Sequence, residues 1–153
     1  MPEFTVPTHL PRWIQDHVRQ YLDSDGKQGH MMDLSAAGGA GEVATLLLIT
    51  KGRKSGKYFT APLVYGEVDG NCIIVGSLGG AAKHPNWYPN LVADPKVRVK
   101  VGTEDFYATA RTAEGAEREK LWQHMAVVFP TYNDYQKKTD RQIPVIVLEK
   151  QTS

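Results

Sequence analysis

The run Ala44-Thr45-Leu46-Leu47-Leu48-Ile49-Thr50 constrains the fold more than any other segment. Short, apolar and bounded by turn residues, it suits a buried strand better than a helix of only two turns. Lys51-Gly52-Arg53-Lys54-Ser55-Gly56-Lys57 follows at once, with four cations, two glycines and no acid. Such a turn can hold a phosphate or carboxylate, because arginine offers a two-pronged donor and glycine lets backbone N–H groups approach closely. Taken alone, it reads equally well as a solvated hairpin tip.

The rest of the chain reads as short strands joined by tight turns. Residues 58–65 return the first strand, and Pro62, which has no N–H for a ladder, predicts an edge or a bulge there. Asp69-Gly70 predicts a hairpin into a strand over 72–76. Pro85 opens a short helix to Val92, and Asp94-Pro95 closes it. Val97, Val99 and Val101 alternate with Arg98 and Lys100, the pattern of a half-buried strand, which returns at Gly102-Thr103 through Phe106, Ala108 and Ala110. A helix from Thr112 carries Leu121, Met125 and Val128 on one face and stops near Phe129-Pro130. A tyrosine-rich loop with Tyr132 and Tyr135 then precedes a last strand over 143–148. The order β-β-β-α-β-β-α-β predicts an α+β fold whose mainly antiparallel sheet closes as a small barrel.

At 153 residues the chain is expected to form one domain, with residues 1–43 as a helix-and-loop appendage and 44–150 as the barrel. Pro11 opens the appended helix, and Ile14, Val18, Tyr21 and Leu22 fall on one face. That stripe has two readings. It packs on the body of the domain, or it makes residues 9–22 a peripheral membrane foot flanked by Trp13, with Arg12 and Arg19 toward headgroups and Asp16 and Asp23 opposing them. A glycine-rich loop with Gly38, Gly39 and Gly41 leads on to the first strong strand.

Eighteen basic side chains balance 17 acidic ones, so no global field draws in nucleic acid, and any electrostatic function has to be local. The only cysteine, Cys72, lies in an apolar strand and reads as an inert thiol, which excludes an internal disulfide and fits a reducing cytoplasm. Pro2, Pro7 and Pro11 interrupt the N-terminal segment, so neither a signal peptide nor a membrane span is expected. The five histidines show no ligand spacing, and no metal is expected. Gly39-Ala40-Gly41-Glu42-Val43-Ala44 fits a dinucleotide fingerprint by letter but precedes a strand, the wrong context for it. No acid, base and nucleophile group stands out, which is the economy expected when a cofactor supplies the reactive atom.

Two segments together point further. Thr50-Lys51-Gly52-Arg53-Lys54-Ser55-Gly56 and Pro62-Leu63 are followed by Gly79-Gly80, Lys83, Pro85, Trp87-Tyr88, Asn90-Leu91 and Pro95-Lys96-Val97, then by Pro130, Tyr132, Asp134-Tyr135, Thr139-Asp140-Arg141 and Ile143-Pro144. In this order and spacing, over about residues 44–149, the chain resembles the deazaflavin-dependent nitroreductase family of actinobacteria, which uses the 8-hydroxy-5-deazaflavin coenzyme F-420.

The resemblance implies a split β-barrel related to flavin reductases and an oxidoreductase that passes hydride to quinones, enones or nitroaromatics. It implies that Arg53, Lys54 and Ser55 hold the coenzyme tail, and that Phe59, Thr60, Ala61, Pro62, Leu63 and Val64 line the groove. Val75, Gly76, Ser77 and Leu78 would border the deazaflavin, and Lys83, Asn86, Trp87, Tyr88 and Asn90 would close the site. Ser77, Tyr132 and Tyr135 fall on the substrate side, where a tyrosine hydroxyl can donate a proton at neutral pH. Phe59 and Leu78 stand where many relatives carry basic residues, and Phe129 where many carry tyrosine. Three other readings stay open at this point: a related barrel that binds FMN, one that binds haem, and a non-catalytic deazaflavin carrier.

Overall fold

The computed structural model describes residues 3–8, 10–33 and 42–151, so the loop with Gly38, Gly39 and Gly41 lies outside the described residues. In chain order the elements are α1 (Arg12–Asp23), β1 (Met31–Asp33), β2 (Glu42–Lys51), β3 (Tyr58–Val64), β4 (Gly66–Val68), β5 (Asn71–Val75), a 3-10 turn (Leu78–Gly80), α2 (Trp87–Ala93), β6 (Lys96–Val101), β7 (Glu104–Thr112), α3 (Gly115–Val128), α4 (Thr131–Lys137) and β8 (Val145–Lys150). The strands form an antiparallel sheet in the order β1-β2-β6-β7-β8-β5-β4, with β3 paired to β2 off that path. The sheet is mainly antiparallel, as the hairpin pattern predicts, and curls into the split barrel that the resemblance implies.

The apolar run owes its unbroken character to β2, which is covered on both faces. Leu46 and Leu48 pack inside with Ile74, Val99, Ala108 and Ile146. Leu47 points the other way, against Val18 and Tyr21 of α1. β5 and β8 repeat the arrangement. Ile74, Ile146 and Leu148 face the interior, whereas Ile73, Val75, Val145 and Val147 lie with Leu121 and Met125 of α3. Full burial of each such side chain contributes about 1.5–3 kcal/mol, so the barrel and its helices stabilise each other through the same strands.

Pro62 occupies an edge, as its missing N–H requires, because β3 pairs only with β2. The segment before α1 protects that edge, and the Thr5 N–H donates to Thr60 Oγ1 at 2.9 Å. Asp69 and Gly70 both take positive φ, 53° and 82°, as a two-residue hairpin turn between β4 and β5 demands.

The stripe on α1 packs on the domain. Val18 and Tyr21 are fully buried. The Tyr21 hydroxyl shares its proton between the carbonyls of Thr45 and Lys100, both at 3.1 Å, and accepts the Gly102 N–H at 2.6 Å. Lys100, a buried cation on β6, reaches Asp25 just past the helix at 2.5 Å. Arg12 and Arg19 both turn to Asp16, at 3.3 and 2.8 Å. Among the described residues no helix is long and apolar enough to cross a membrane. β1 pairs with residues 42–44 of β2, so the appendage adds a strand as well as a helix.

Several elements differ from the sequence expectation: besides β1, β4 is a separate short strand, α2 starts at Trp87 rather than Pro85, and β8 starts at Val145 rather than at residue 143. The tyrosine-rich loop is the helix α4, seven residues long and so too short for periodicity to reveal. β7 continues to Thr112, and α3 starts only at Gly115, whose φ of +59° makes the corner.

Gly26 (φ +78°) marks the tightest contact between the appendage and the barrel: a Cβ there would lie 1.7 Å from the Gly102 carbonyl oxygen. Gly70 has a similar φ of +82° and open space around it. Thermal melting should therefore show Gly26→Ala costing about 2–4 kcal/mol and Gly70→Ala about 1 kcal/mol. Equal losses would contradict this docking of the appendage.

Candidate active site

A cavity of about 920 Å³ opens among the β2–β3 turn, β3, the end of β5, the loop before α2, α4 and the start of α1. That volume suits a sizeable organic ligand. In the turn, Gly52 is required by space, since a Cβ would come within 2.7 Å of the Phe59 ring. Arg53 is aimed by Asn90, whose Oδ1 accepts from the Arg53 backbone N–H at 3.2 Å and from its Nη1 at 2.8 Å. Asn90 is itself buried, and its amide nitrogen donates to Thr50 Oγ1 at 3.4 Å. Ser55 Oγ accepts the Lys57 N–H at 3.2 Å, which fixes the turn.

Lys54 and Lys83 join Arg53 on the wall, which carries no Asp or Glu. None of the ion pairs among the described residues involves these three cations. Positive charge left unneutralised in a concave site favours an anionic group.

β3 supplies one wall through Thr60, Ala61, Pro62, Leu63 and Val64, with Phe59 at its start. Val75, Ser77 and Leu78 supply another. Phe59 and Leu78 are 47% and 45% exposed, so both put apolar surface at the cavity. Leu78 has φ +44°, uncommon for a residue with a branched side chain. Asn86 and Trp87 line the cavity beside Asn90.

Two residues named from the resemblance stand off the wall. Gly76 is buried, donates its N–H to the Pro144 carbonyl at 2.9 Å and packs on the Pro144 ring. Tyr88 rests against His84, with ring centroids 4.8 Å apart, and its hydroxyl meets Thr112 Oγ1 at 2.9 Å.

The aromatic part of the cavity comes from the end of α3 and from α4. Phe129 and Tyr132 meet edge to face at 4.9 Å, and Tyr135 stands 6.4 Å from Tyr132. Tyr132 is only 4% exposed. Burial above all, then the neighbouring Tyr135, pushes its phenol well above the usual tyrosine range. Burial and Asp134 push Tyr135 in the same direction. Both hydroxyls therefore keep their protons at neutral pH.

Leu10, Trp13, Ile14, Met32, Thr45 and His84 also line the cavity, and none is a site residue by sequence reasoning. Trp13 was legible as an exposed ring beside an amphipathic helix, but nothing in its spacing says which surface it meets. His84 is held below its usual pKa by burial and by the adjacent Arg141, whose Nη1 donates to His84 Nδ1 at 3.1 Å. Cys72 lies outside the cavity, and burial pushes its thiol up to about 11, which leaves it inert. No group of metal-binding side chains occurs among the described residues.

The chain is similar to known proteins in sequence and fold. An F420H2-dependent quinone reductase of Mycobacterium tuberculosis, Rv1261c, is 32% identical over 92% of this chain and 98% of its own length. A solved F420-H2 dependent reductase is 44% identical, covers 69% of this chain and 93% of that one, and superposes with a TM-score of 0.65. A second solved structure, described as a domain-swapped dimer, is 37% identical over 90% and 97% of the two chains, with a TM-score of 0.68. Haem-binding proteins at 16% identity share the fold alone, with TM-scores of 0.51 and 0.56. The sequence profile described as F420H(2)-dependent quinone reductase matches residues 13–150, and the chain belongs to that family.

Proposed function

We propose that the protein is a reductase that takes two electrons from reduced 8-hydroxy-5-deazaflavin and passes them to a flat quinone, with enones and activated nitroaromatics as further acceptors. The observation that carries this reading is one cavity that joins three cations without carboxylate partners to a cluster of apolar and aromatic rings. An anionic tail and a flat electrophile ask for those two environments side by side. The donor set fits the coenzyme on the same ground: the cations suit its phosphate and oligoglutamate tail, and the apolar walls suit its ring.

When bound, the reduced coenzyme supplies a hydride from C5 to an electrophilic carbon of the acceptor. The protein's own residues do the rest. Arg53, pre-aimed by Asn90, holds the tail with Lys54 and Ser55, and Lys83 adds charge to the same wall. Thr60 to Val64, with Val75 and Leu78, flank the ring and exclude water, while Asn86 and Trp87 close over it. Gly76 supports the wall from behind, and Tyr88 acts through His84. Ser77, Tyr132 and Tyr135 face the acceptor. Tyr132 would donate a proton to the acceptor oxygen once the hydride has arrived. The proton left on the quinone carbon would pass through solvent to the second oxygen as the ring enolises to the hydroquinone, and solvent would restore the tyrosine proton. Phe129 keeps this side apolar and favours planar, weakly polar acceptors.

Purified protein should oxidise reduced deazaflavin in the presence of menadione and turn over far more slowly with NADPH. Tightly bound FMN or a Soret band would instead identify the flavin or haem relative, and binding without turnover would identify a carrier. Parallel assays with cyclohexenone and a nitroaromatic settle the breadth of acceptors. The double variant Arg53→Ala, Lys54→Ala should weaken coenzyme binding by about 2–3 kcal/mol, as charge-assisted bonds predict. Unchanged affinity would return the basic turn to a solvated tip.

The pH profile tests the proton donor. Because burial raises the Tyr132 phenol, its protonated form persists past the usual tyrosine pKa of ~10, and kcat should show no alkaline loss below about pH 10. Tyr132→Phe should lower kcat about 10–100-fold with little change in coenzyme affinity. A wild-type kcat that already falls between pH 7 and 9, or a fully active Tyr132→Phe, would contradict that role.

A further inference from the structure

Arg141 lies between α4 and β8 and does not line the cavity, yet it is the most heavily engaged arginine near it. Its Nη2 donates to the Ser77 carbonyl at 2.7 Å and its Nε to the Ala81 carbonyl at 2.8 Å. Its Nη1 donates to the Gly76 carbonyl and to His84 Nδ1, both at 3.1 Å. One planar guanidinium thus ties down both ends and the middle of the segment 76–84, which carries Ser77, Leu78 and Lys83 onto the cavity wall.

The segment needs such a tie. It has few other bonds of its own, and Leu78 holds a φ of +44° that leucine avoids. The remaining internal bonds, from Gly80 N–H to the Ser77 carbonyl and from Ala81 N–H to the Leu78 carbonyl, close only a single tight turn. Arg141 in turn is anchored to the other wall. Its carbonyl accepts from Gln136 Nε2 at 2.8 Å, and Gln136 sits on α4 one residue after Tyr135. Gly80 packs on the Tyr135 backbone so closely that a Cβ would come within 2.7 Å of its carbonyl oxygen.

We propose that Arg141 is a positioning residue that sets the spacing between the Ser77–Lys83 wall and the Tyr132–Tyr135 helix, and with it the fit of the deazaflavin between them. The inference rests on the function proposed above and adds a residue that touches neither coenzyme nor acceptor. The geometry of the fork is what matters. Lysine would keep the charge, but its single ammonium cannot reach the three carbonyls and the imidazole in the same plane.

The test is fluorescence titration of wild type, Arg141→Ala and Arg141→Lys with the oxidised deazaflavin coenzyme, alongside melting curves. Arg118→Gln serves as a control, because Arg118 is also buried and donates to the Ile143 carbonyl at 2.6 Å, but lies off the cavity wall. The expected result is a Kd raised about tenfold or more in both Arg141 variants, partial recovery of Arg141→Ala in millimolar methylguanidinium, and a lower Tm but unchanged Kd in the control.

Hydrogen exchange at the Gly80 and Ala81 amides should quicken in Arg141→Lys, which keeps the test decisive if Arg141→Ala does not fold. Wild-type affinity in folded Arg141 variants, full restoration by lysine, or unchanged exchange would each overturn the proposal. A wild-type protein that binds no deazaflavin would overturn the functional reading and this inference with it. Binding by wild type and variants alike would overturn this inference only.

Discussion

Three strands of this barrel, β2, β5 and β8, are buried on both faces, and the rest of the structure follows from that requirement. A curled sheet can fill its interior with its own side chains, but the outer faces of those strands would expose a continuous apolar surface unless helices covered them. α1 covers Leu47, and α3 covers Ile73, Val145 and Val147. α1 also brings Trp13 to the cavity, and α3 ends at Phe129 and leads straight into α4, which carries Tyr132 and Tyr135 there. Packing and site formation are therefore one event.

The cavity then combines two kinds of wall that are rarely compatible. Cations are tolerable there because Arg53 is held by a neutral amide, Asn90, and not by a carboxylate that would cancel its charge. The aromatic wall is kept protonated and apolar by burial, which raises the Tyr132 phenol. Between them, Phe59 and Leu78 put exposed apolar surface on the cavity wall. The cations of the turn and Lys83 can attract an anionic ligand over a distance, and such attraction is screened over about 10 Å at 0.1 M salt.

Much of this was legible in the residues. The unbroken run at 44–50 announced a buried strand, Pro62 announced an edge or a bulge and sits on an edge, and Asp69-Gly70 announced the hairpin turn. The basic turn was visible but ambiguous, because four cations on a hairpin tip look the same whether or not a cavity lies behind them. Its surroundings, supplied by residues some 30 positions later in the chain such as Asn86 and Asn90, favour the binding reading because they hold Arg53 at the rim of a cavity.

What stayed hidden was of two kinds. α4 is seven residues long, below the length at which a helical period can be counted. Leu10, Trp13 and Ile14 reach the cavity only because Tyr21, Lys100 and Gly26 fix the far end of α1 on the barrel, a tertiary fact with no local signature.

The proposed function turns on the basic turn anchoring the tail of a deazaflavin whose ring lies against the apolar walls. The most direct test is to titrate the protein with the complete oxidised coenzyme, and with its core lacking the phosphate and oligoglutamate tail, at 20 mM and 500 mM salt. The complete coenzyme should bind about 30-fold or more tighter at low salt. That advantage should shrink at high salt, while the weak binding of the core stays unchanged. Equal affinity of the two ligands at both salt concentrations would contradict an anchoring role for the turn.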